Sequence, residues 1–384
     1  MRRMTQQAQA RAGSRKVLCL TLSMGGGTKF FLEDYLQREY ANAAEIWLLR
    51  PLPAHAYVTK SLMLYDARQP EHCVELPLDF GRLRRGLDEL GVTEIFVNHL
   101  FGFPQEAVAD FLLQSGRPYT LFLHDYYLLC PHFNLSCQAR DCARAAATPH
   151  CQQAFAEAGL ADWSLARYRQ VMHRILQGAA QVLAPTSYAA GIVRSVYPDI
   201  AITVRPHRLT IPLAHTFQPA FAQAEPLTIA MLGVMWEPKG ESWFLYLRDV
   251  VAAEKLPVRL VAIGENRKRE PGIGYTGRYR REEVSQVLAQ AQVAVVLCPS
   301  TFPETYCYTA SEAMLSGYPV LSMNLGAQAV RILQHDAGWV LPQDTRAQGE
   351  AALRAWVEHL ITHEGRQEIL IKAAHTQRFV NGME

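Results

Sequence analysis

The sequence predicts an α/β protein made of two parallel-sheet halves, and three observations carry that expectation. Short apolar runs recur with helix-period stretches between them, as strands do when they alternate with crossover helices. The first run, KVLCLTLS (16–23), ends in the glycine cluster Gly25, Gly26 and Gly27. It is followed by TKFFLEDYLQREY, in which Phe31, Tyr35 and Leu36 share one helix face. Buried strand, glycine turn and amphipathic helix is the opening of a nucleotide-binding βα unit. The alternation then breaks at 206–225, a proline-rich stretch without period, and restarts at 227.

In the first half the remaining strand candidates are EIWLLRPL (45–52), EIFVNHL (94–100), YTLFLHD (119–125) and AQVLAPT (180–186), with helical patterns such as FGRLRRGLDEL and QEAVADFLLQSG between them. The second half offers LTIAMLGVM (227–235), VRLVAIG (258–264), QVAVVLCPS (292–300) and YPVLSMN (318–324). Parallel strands need helical crossovers, so each sheet is expected to be parallel and covered on both faces. The organisation read from this is a flexible tail at 1–15, a first domain at 16–212, a linker at 213–225 and a second domain at 226–384. A final helix at about 347–377 closes the chain and packs back on the first domain. Two such sheets facing one another make a deep cleft at their carboxyl edges, where ligands bind.

Composition removes several alternatives. The 384 residues carry 38 Lys+Arg against 36 Asp+Glu, a formal charge of +2, which gives no electrostatic case for a nucleic-acid partner. Hydrophobic residues make up 49% and charged residues 19%, which supplies a core and excludes a disordered chain. Residues 1–15 are polar and basic without the apolar stretch of a secretory signal, and no run reaches the ~18–20 apolar residues of a membrane span. The expected location is the cytoplasm. Of eight cysteines, four fall close together: Cys130, Cys137, Cys142 and Cys151, with His132 and His150 inside the same stretch. Their spacing is not a paired CxxC framework. A structural zinc site is one reading, and unligated loop thiols, a disulfide or a substrate contact are the others.

The segment richest in chemistry is CPSTFPETYCYTASEAMLSGYPVLSMNLGAQAV (298–330). Glu304 follows an apolar strand and Glu312 stands eight positions on, so a helix between them would turn both carboxylates to one side. At the helix start the amides of Tyr306, Cys307, Tyr308 and Thr309, together with the helix dipole, favour an anion such as a diphosphate. Gly317 and Pro319 end the helix before the next strand.

PETYCYTASEAMLSGYPVLS resembles the signature of the retaining glycosyltransferases of family 4, group 1 type, which have the GT-B fold of two facing Rossmann-like domains. TYCYTASEA further resembles a subgroup tied to bacterial O-antigen and capsular polysaccharide synthesis, a lipopolysaccharide-related role. The resemblance implies that Glu304 lies beside the donor hexose and that Glu312 bonds the ribose hydroxyls. LGVMWEPKG (232–240) is similar to the family's phosphate turn through Gly233, Lys239 and Gly240, with Lys239 neutralising the donor diphosphate. Val234 stands where the family has arginine, and Arg278 or helix amides are the candidates to compensate. MGGGTKFF resembles the glycine-rich loop after the first strand, which assigns Gly25, Gly26 and Gly27 to the cleft. His124, at the end of its strand, corresponds to a histidine that bonds a donor-sugar hydroxyl or a transition-state oxygen, with Asp125 orienting it or the acceptor. His99, Ser187 and His207 are weaker matches to cleft-lining positions, and the cysteine-rich loop at 130–151 would shape acceptor entry.

No two aspartates sit two apart, so the Asp-x-Asp element by which the other large glycosyltransferase fold holds a divalent ion is missing. The chemistry implied by the resemblance is metal-independent transfer, with no cofactor, from a nucleotide-sugar donor to a glycan acceptor that is lipid-linked. His124, Lys239 and Glu304 would be catalytic. A lipid-linked acceptor would bring a peripheral contact with the inner face of the cytoplasmic membrane, to which Arg82, Arg84 and Arg85 are candidates to contribute. The alternatives are a sugar-nucleotide 2-epimerase of the same fold and a catalytically degenerate scaffold in a polysaccharide assembly complex.

Overall fold

The computed structural model describes residues 15–22, 26–41, 44–52, 59–135, 149–209, 216–266 and 268–381. The chain divides into two compact units, Met1–His207 and Arg208–Glu384.

In the first unit the chain runs β1 (Arg15–Leu20), α1 (Gly27–Glu39), β2 (Ala44–Leu52), β3 (Ser61–Asp66), β4 (Gln69–Pro77), α2 (Phe80–Leu90), β5 (Glu94–Val97), α3 (Gln105–Gln114) and β6 (Tyr119–Phe122). It continues with α4 (Pro149–Glu157), α5 (Leu165–Gly178), β7 (Gln181–Ala184), α6 (Ser187–Val196) and β8 (Ile202–Val204). The eight strands are ordered β4-β3-β2-β1-β5-β6-β7-β8. Strand order reverses at β1, flanked by β2 and β5, which makes its carboxyl end the switch point where α/β sheets bind ligands.

Six strands are parallel, five of them at the expected apolar runs and the sixth, β8, too short to show one, but β3 and β4 join antiparallel through a tight turn. The sequence reading missed this hairpin because β4, QPEHCVELP, is mostly exposed and carries three charged or imidazole side chains, so it lacks the apolar run of a buried strand. One face of the extension is core: Leu62, Leu64 and Leu76 pack with Trp47, Leu49, Leu83 and Leu87. Three helix starts here are capped by side chains as local chemistry requires, Asp79 accepting from Arg82 N–H, Ser164 from Arg167 N–H and Thr186 from Ala189 N–H. Arg82 and Arg85 on α2 are exposed, whereas Arg84 donates to Gln114.

The second unit contains α7 (Pro219–Gln223), β9 (Leu227–Leu232), a single turn at Glu237–Lys239, α8 (Glu241–Glu254), β10 (Val258–Ile263), β11 (Ile273–Gly277), α9 (Val284–Gln290) and β12 (Val295–Cys298). These are followed by α10 (Tyr308–Leu315), β13 (Val320–Met323), α11 (Gly326–His335), β14 (Gly338–Leu341), α12 (Arg346–Leu360) and α13 (His363–Asn381). All six strands pair in parallel in the order β11-β10-β9-β12-β13-β14, with the switch point between β9 and β12. Buried clusters lie on both faces, one around Phe244, Leu247 and Leu353, the other around Leu288, Met314 and Ile332.

Two sequence expectations change here. The final helix is two helices, broken at Ile361–Thr362, where the Thr362 hydroxyl donates to the His359 carbonyl and accepts from Gly365 N–H. A threonine hydroxyl that bonds nearby backbone in this way competes with helix continuation, a signal the apolar period does not carry. The division into units falls at His207, ahead of the expected linker at 213–225. Residues 219–223 form α7, which packs on α13 within the second unit. Arg366 fixes that contact: its buried guanidinium donates to the carbonyls of Ala222 and Ala224 at 3.0 Å each and lies 3.3 Å from the Glu225 carboxylate. Within its own unit α13 packs on α7, α10, α11, α12 and β14. Among the described residues no helix is long and apolar enough to cross a membrane.

Replacing Arg366 by methionine keeps the stem but leaves two carbonyls without their donor, which should cost the second unit about 1–3 kcal/mol. Denaturant unfolding followed by tryptophan fluorescence reads this, and an unchanged midpoint would contradict the role.

Candidate functional site

Each unit gathers polar side chains at the carboxyl edge of its own sheet. In the second unit the edge is built by two loops, 233–240 after β9 and 299–307 after β12. Gly233 (φ 101) turns the chain out of β9, its N–H donating to the Ile263 carbonyl, and Met235 N–H donates to Asn266 Oδ1 at 2.6 Å. Gly240 (φ 92) begins α8 so close to the other loop that a Cβ there would run into the Pro299 carbonyl. Thr301 completes the seam, its N–H donating to the Pro238 carbonyl and its hydroxyl to that of Glu237.

That seam brings together Lys239 and Glu304, 65 positions apart in sequence, with Nζ 2.7 Å from Oε2. The other Glu304 oxygen accepts from the Ser300 hydroxyl, and its carbonyl accepts from Ala327 N–H at the start of α11. Glu304 is 6% exposed. Burial pushes its carboxyl upward, but the charge and hydrogen bond of Lys239, with Ser300, outweigh burial and hold it below the ordinary glutamate range. Burial likewise works against the Lys239 ammonium, and Glu304 more than restores it. A carboxylate and an ammonium are therefore both charged at neutral pH at this edge.

Glu304 does not stand on a helix with Glu312, as the eight-residue spacing suggested. It lies on the loop four positions before α10, which starts at Tyr308 behind Cys307 in the left-handed region (φ 63). Tyr306 and Cys307 thus precede the helix, and the first-turn amides are those of Tyr308, Thr309 and Ala310. The reason is Arg331: its buried guanidinium donates to the carbonyls of Tyr306 and Cys307 and to the Ser311 hydroxyl, under the Tyr306 ring at 4.2 Å. These bonds hold the two residues in a turn. The β9 loop abuts the helix start, a Cβ on Gly233 falling 3.3 Å from Thr309 Cγ2. The thiols of Cys298 and Cys307 converge on the Thr309 hydroxyl at 3.7 and 3.5 Å.

Glu312, also 6% exposed, is on α10 and pairs with Arg281 at 3.0 Å. Burial raises its carboxyl, with Arg281 opposing. Arg281 lies 5.0 Å from the Tyr308 ring centroid. The guanidinium that reaches this edge is thus Arg281 and not Arg278, which is exposed, as is Val234. Two ion pairs and a helix N-terminus at one switch point form an edge suited to an anion with hydroxyls beside it.

In the first unit, Thr21, Asn98 and His124 form a chain across the ends of β1, β5 and β6. Asn98 Nδ2 donates to Thr21 Oγ1 at 3.0 Å, and His124 Nε2 lies 2.9 Å from Asn98 Oδ1, which assigns the ring proton to Nε2. Burial drives the His124 pKa well below the ordinary histidine value, with His207 and His99 adding to the effect. The ring is packed by Phe31, Phe122 and the buried His207. Asp125 does not orient His124. Its Oδ2 is 2.8 Å from Nε2 of buried His99, whose Nδ1 accepts from Phe101 N–H, and its Oδ1 accepts from Tyr127 N–H. Both His124 and Asp125 lie past the end of β6 at Phe122, on a bend that sends the two side chains to different partners.

Gly26 (φ 91) caps α1, with open space around its Cα, and Gly27 is the first helical residue. Ser187 is exposed at the start of α6. Gly25, Cys137, Cys142 and the side chains of His150 and Cys151 lie outside the described residues, so of the four candidate zinc thiols only the buried Cys130 is described. Among the described residues no group of three or more His, Cys, Asp or Glu is arranged to hold a metal ion. The residues that sequence reasoning missed are Ser300, Arg281, Arg331 and Asn98. Arg281, Arg331 and Asn98 are set by long-range contacts and Ser300 by a bond to Glu304 four positions on, and only Asn98, one residue past an apolar strand and before His99, carries a hint in its sequence setting.

Residues 226–359 match the family model described as glycosyl transferases group 1. No curated protein matches the chain. Solved structures of similar fold include Anabaena Alr3699/HepE in complex with UDP (TM-score 0.63, 14% identity, 96% of this chain and 95% of that one). WaaG, a glycosyltransferase involved in lipopolysaccharide biosynthesis, gives 0.61 and 14% over 95% of each chain. Sucrose-phosphate synthase from Thermosynechococcus elongatus gives 0.60 and 13% over 96% of this chain and 98% of that one. The fold is GT-B, with two Rossmann-like units.

A histidine with a folded pKa below its unfolded value of about 6.5 binds its proton first in the unfolded chain. Its stabilising contribution is therefore full above that value and is lost as pH falls below it. In an NMR titration the His124 ring signals should stay those of the Nε2–H tautomer as pH falls through the ordinary histidine range, and a midpoint near 6.5 would contradict the burial argument.

Proposed function

We propose that the chain is a retaining glycosyltransferase that moves a sugar from a nucleoside-diphosphate donor to a glycan acceptor in bacterial cell-surface polysaccharide synthesis. The observation that carries the reading is the seam at the β9 and β12 switch point. There Lys239, Glu304, the α10 N-terminus and the Arg281–Glu312 pair meet at one edge. The family-model match covers this same unit, and UDP and UDP-glucose occupy two of the structures that share the fold.

In this reading the donor diphosphate lies against Lys239 and the amides of Tyr308, Thr309 and Ala310. Glu304 lies beside the sugar, and Glu312 takes the ribose hydroxyls through the oxygen that Arg281 leaves open. The glycosidic C–O bond to phosphate breaks through an oxocarbenium-like state. The acceptor oxygen forms its bond on the face the phosphate leaves, and its proton passes to the departing phosphate oxygen. No carboxylate base is needed. The ammonium and amides are fixed before the reaction, so they stabilise the developing phosphate charge without reorganising. A neutral His124 held by Asn98 suits a hydrogen bond to a sugar oxygen rather than proton transfer at neutral pH. Metal-independence is part of the proposal, with Lys239 and the amides doing what a divalent ion does elsewhere. The valine at 234 removes one cation from the phosphate loop, and Arg281 supplies a guanidinium to the same edge.

Incubating a panel of UDP-, GDP-, ADP- and TDP-sugars with and without a glycan acceptor tests the proposal. Acceptor-dependent release of one nucleotide, with the anomeric configuration kept, is the expected result. Conversion of the donor without acceptor identifies an epimerase, and tight nucleotide binding with no turnover identifies a scaffold. Glu304→Ala and Lys239→Ala should each lower the transfer rate at least ~10-fold, about 1.4 kcal/mol in the barrier. Wild-type turnover by both variants refutes the assignment.

Arg331→Lys keeps a charge but loses the fork that spans two carbonyls. It should raise KM for the donor more than it lowers kcat. An unchanged KM would mean that the turn at Tyr306–Cys307 holds without the fork.

A further inference from the structure

We infer that the first unit carries a lateral groove, which meets the carboxyl-edge cluster around His124 only at Thr21, that binds a phosphorylated amphiphile: a hydrocarbon chain ending in a phosphate. The groove lies between α1 and the antiparallel edge formed by β2 and β3, and encloses about 780 Å³. It exists because the β3–β4 hairpin extends the sheet beyond the helix. The opposite face of that extension is filled by Leu62, Leu64 and Leu76 with Trp47 and Leu49, while this face has α1 along one side only.

The alternation of β2 decides what the groove presents. Ile46, Leu48 and Arg50 share the groove face, two apolar residues followed by a cation. Leu32 and Leu36 of α1 complete an apolar floor, and Leu22 extends it past β1. The Arg50 guanidinium lies over the Tyr65 ring at 5.0 Å, and its Nε is buried without a hydrogen-bond partner among the described residues. Arg50 also lines the groove, which sets a ring-stacked guanidinium against the cavity as a ready anion contact. Arg68, exposed on the β3–β4 turn, and Lys29 add positive charge at the rim. Glu33 opposes them, with Lys29 3.7 Å from its carboxylate. Three cations against one carboxylate over an apolar floor match an anionic head joined to an apolar tail. A free phosphate leaves the floor wet, and a neutral lipid leaves Arg50 unmet. This reading concerns the first unit alone and does not depend on whether the chain transfers a sugar.

The test is calorimetric titration of the full chain with decyl phosphate below its micellar concentration. Inorganic phosphate and the uncharged decyl hexaethylene glycol ether serve as the two half-ligands. Saturable one-to-one binding of decyl phosphate is expected, at least about tenfold tighter than either half-ligand and weakened about tenfold by Arg50→Gln. Arg68→Gln, on an exposed turn that carries no fold burden, should weaken it less but measurably, and serves should Arg50→Gln fail to fold. Lys239→Gln should leave it unchanged. Equal binding of the uncharged ether means non-specific adsorption, and equal binding of inorganic phosphate means a headgroup site only. Loss of binding in Lys239→Gln with retention in Arg50→Gln places the phosphate on the other unit. Each of these three results overturns the proposal.

Discussion

A glutamate with 6% of its surface exposed has to be compensated where it sits, and the whole carboxyl edge of the second unit is arranged around that requirement for Glu304. Compensation comes from Lys239, which reaches it only because Gly240 lets the start of α8 approach Pro299 and Thr301 ties the two loops together. The pair is therefore as much a product of backbone closeness as of charge. Without a side chain at 240 the loops meet, and with one they cannot.

The same logic runs through the neighbouring elements. Arg331 compensates two turn carbonyls, and so sets where α10 begins and which amides its first turn offers. Arg281 compensates Glu312 from a loop 31 positions away. Asn98 fixes the tautomer of a histidine that burial keeps neutral. In each case one long-range polar contact holds a group in a defined charge state at a sheet edge, an arrangement that stabilises charge without motion. The lateral groove differs in kind, since there the cation is left with an unmet donor.

How much of this was legible in the sequence depends on the range of the signal. The long apolar strands, such as VLCL at β1 and TIAML at β9, are fully buried, and their runs marked both sheets. The glycine at 240 was legible as a turn, although the carbonyl that requires it is not adjacent in sequence. Weak signals failed where packing is one-sided. The exposed β4 has no apolar run, and the short strands β8, β11 and β14 each offer few buried residues. Glu304, Lys239 and Glu312 stood out through their setting. Ser300 and Arg281, which bond Glu304 and Glu312, and Arg331, which holds the Tyr306–Cys307 turn, did not, because serine and arginine at a loop or helix surface look alike whether solvated or buried until the chain has folded.

The central claim is that the Lys239–Glu304 pair and the first turn of α10 hold the donor. The most direct measurement is a crystal structure of the full chain soaked with a nucleoside-diphosphate sugar that it binds. The account predicts diphosphate oxygens within hydrogen-bond distance of Lys239 Nζ and of the α10 amides, with the ribose against Glu312. A nucleotide bound elsewhere, with Lys239 and Glu304 paired only to each other, would contradict it.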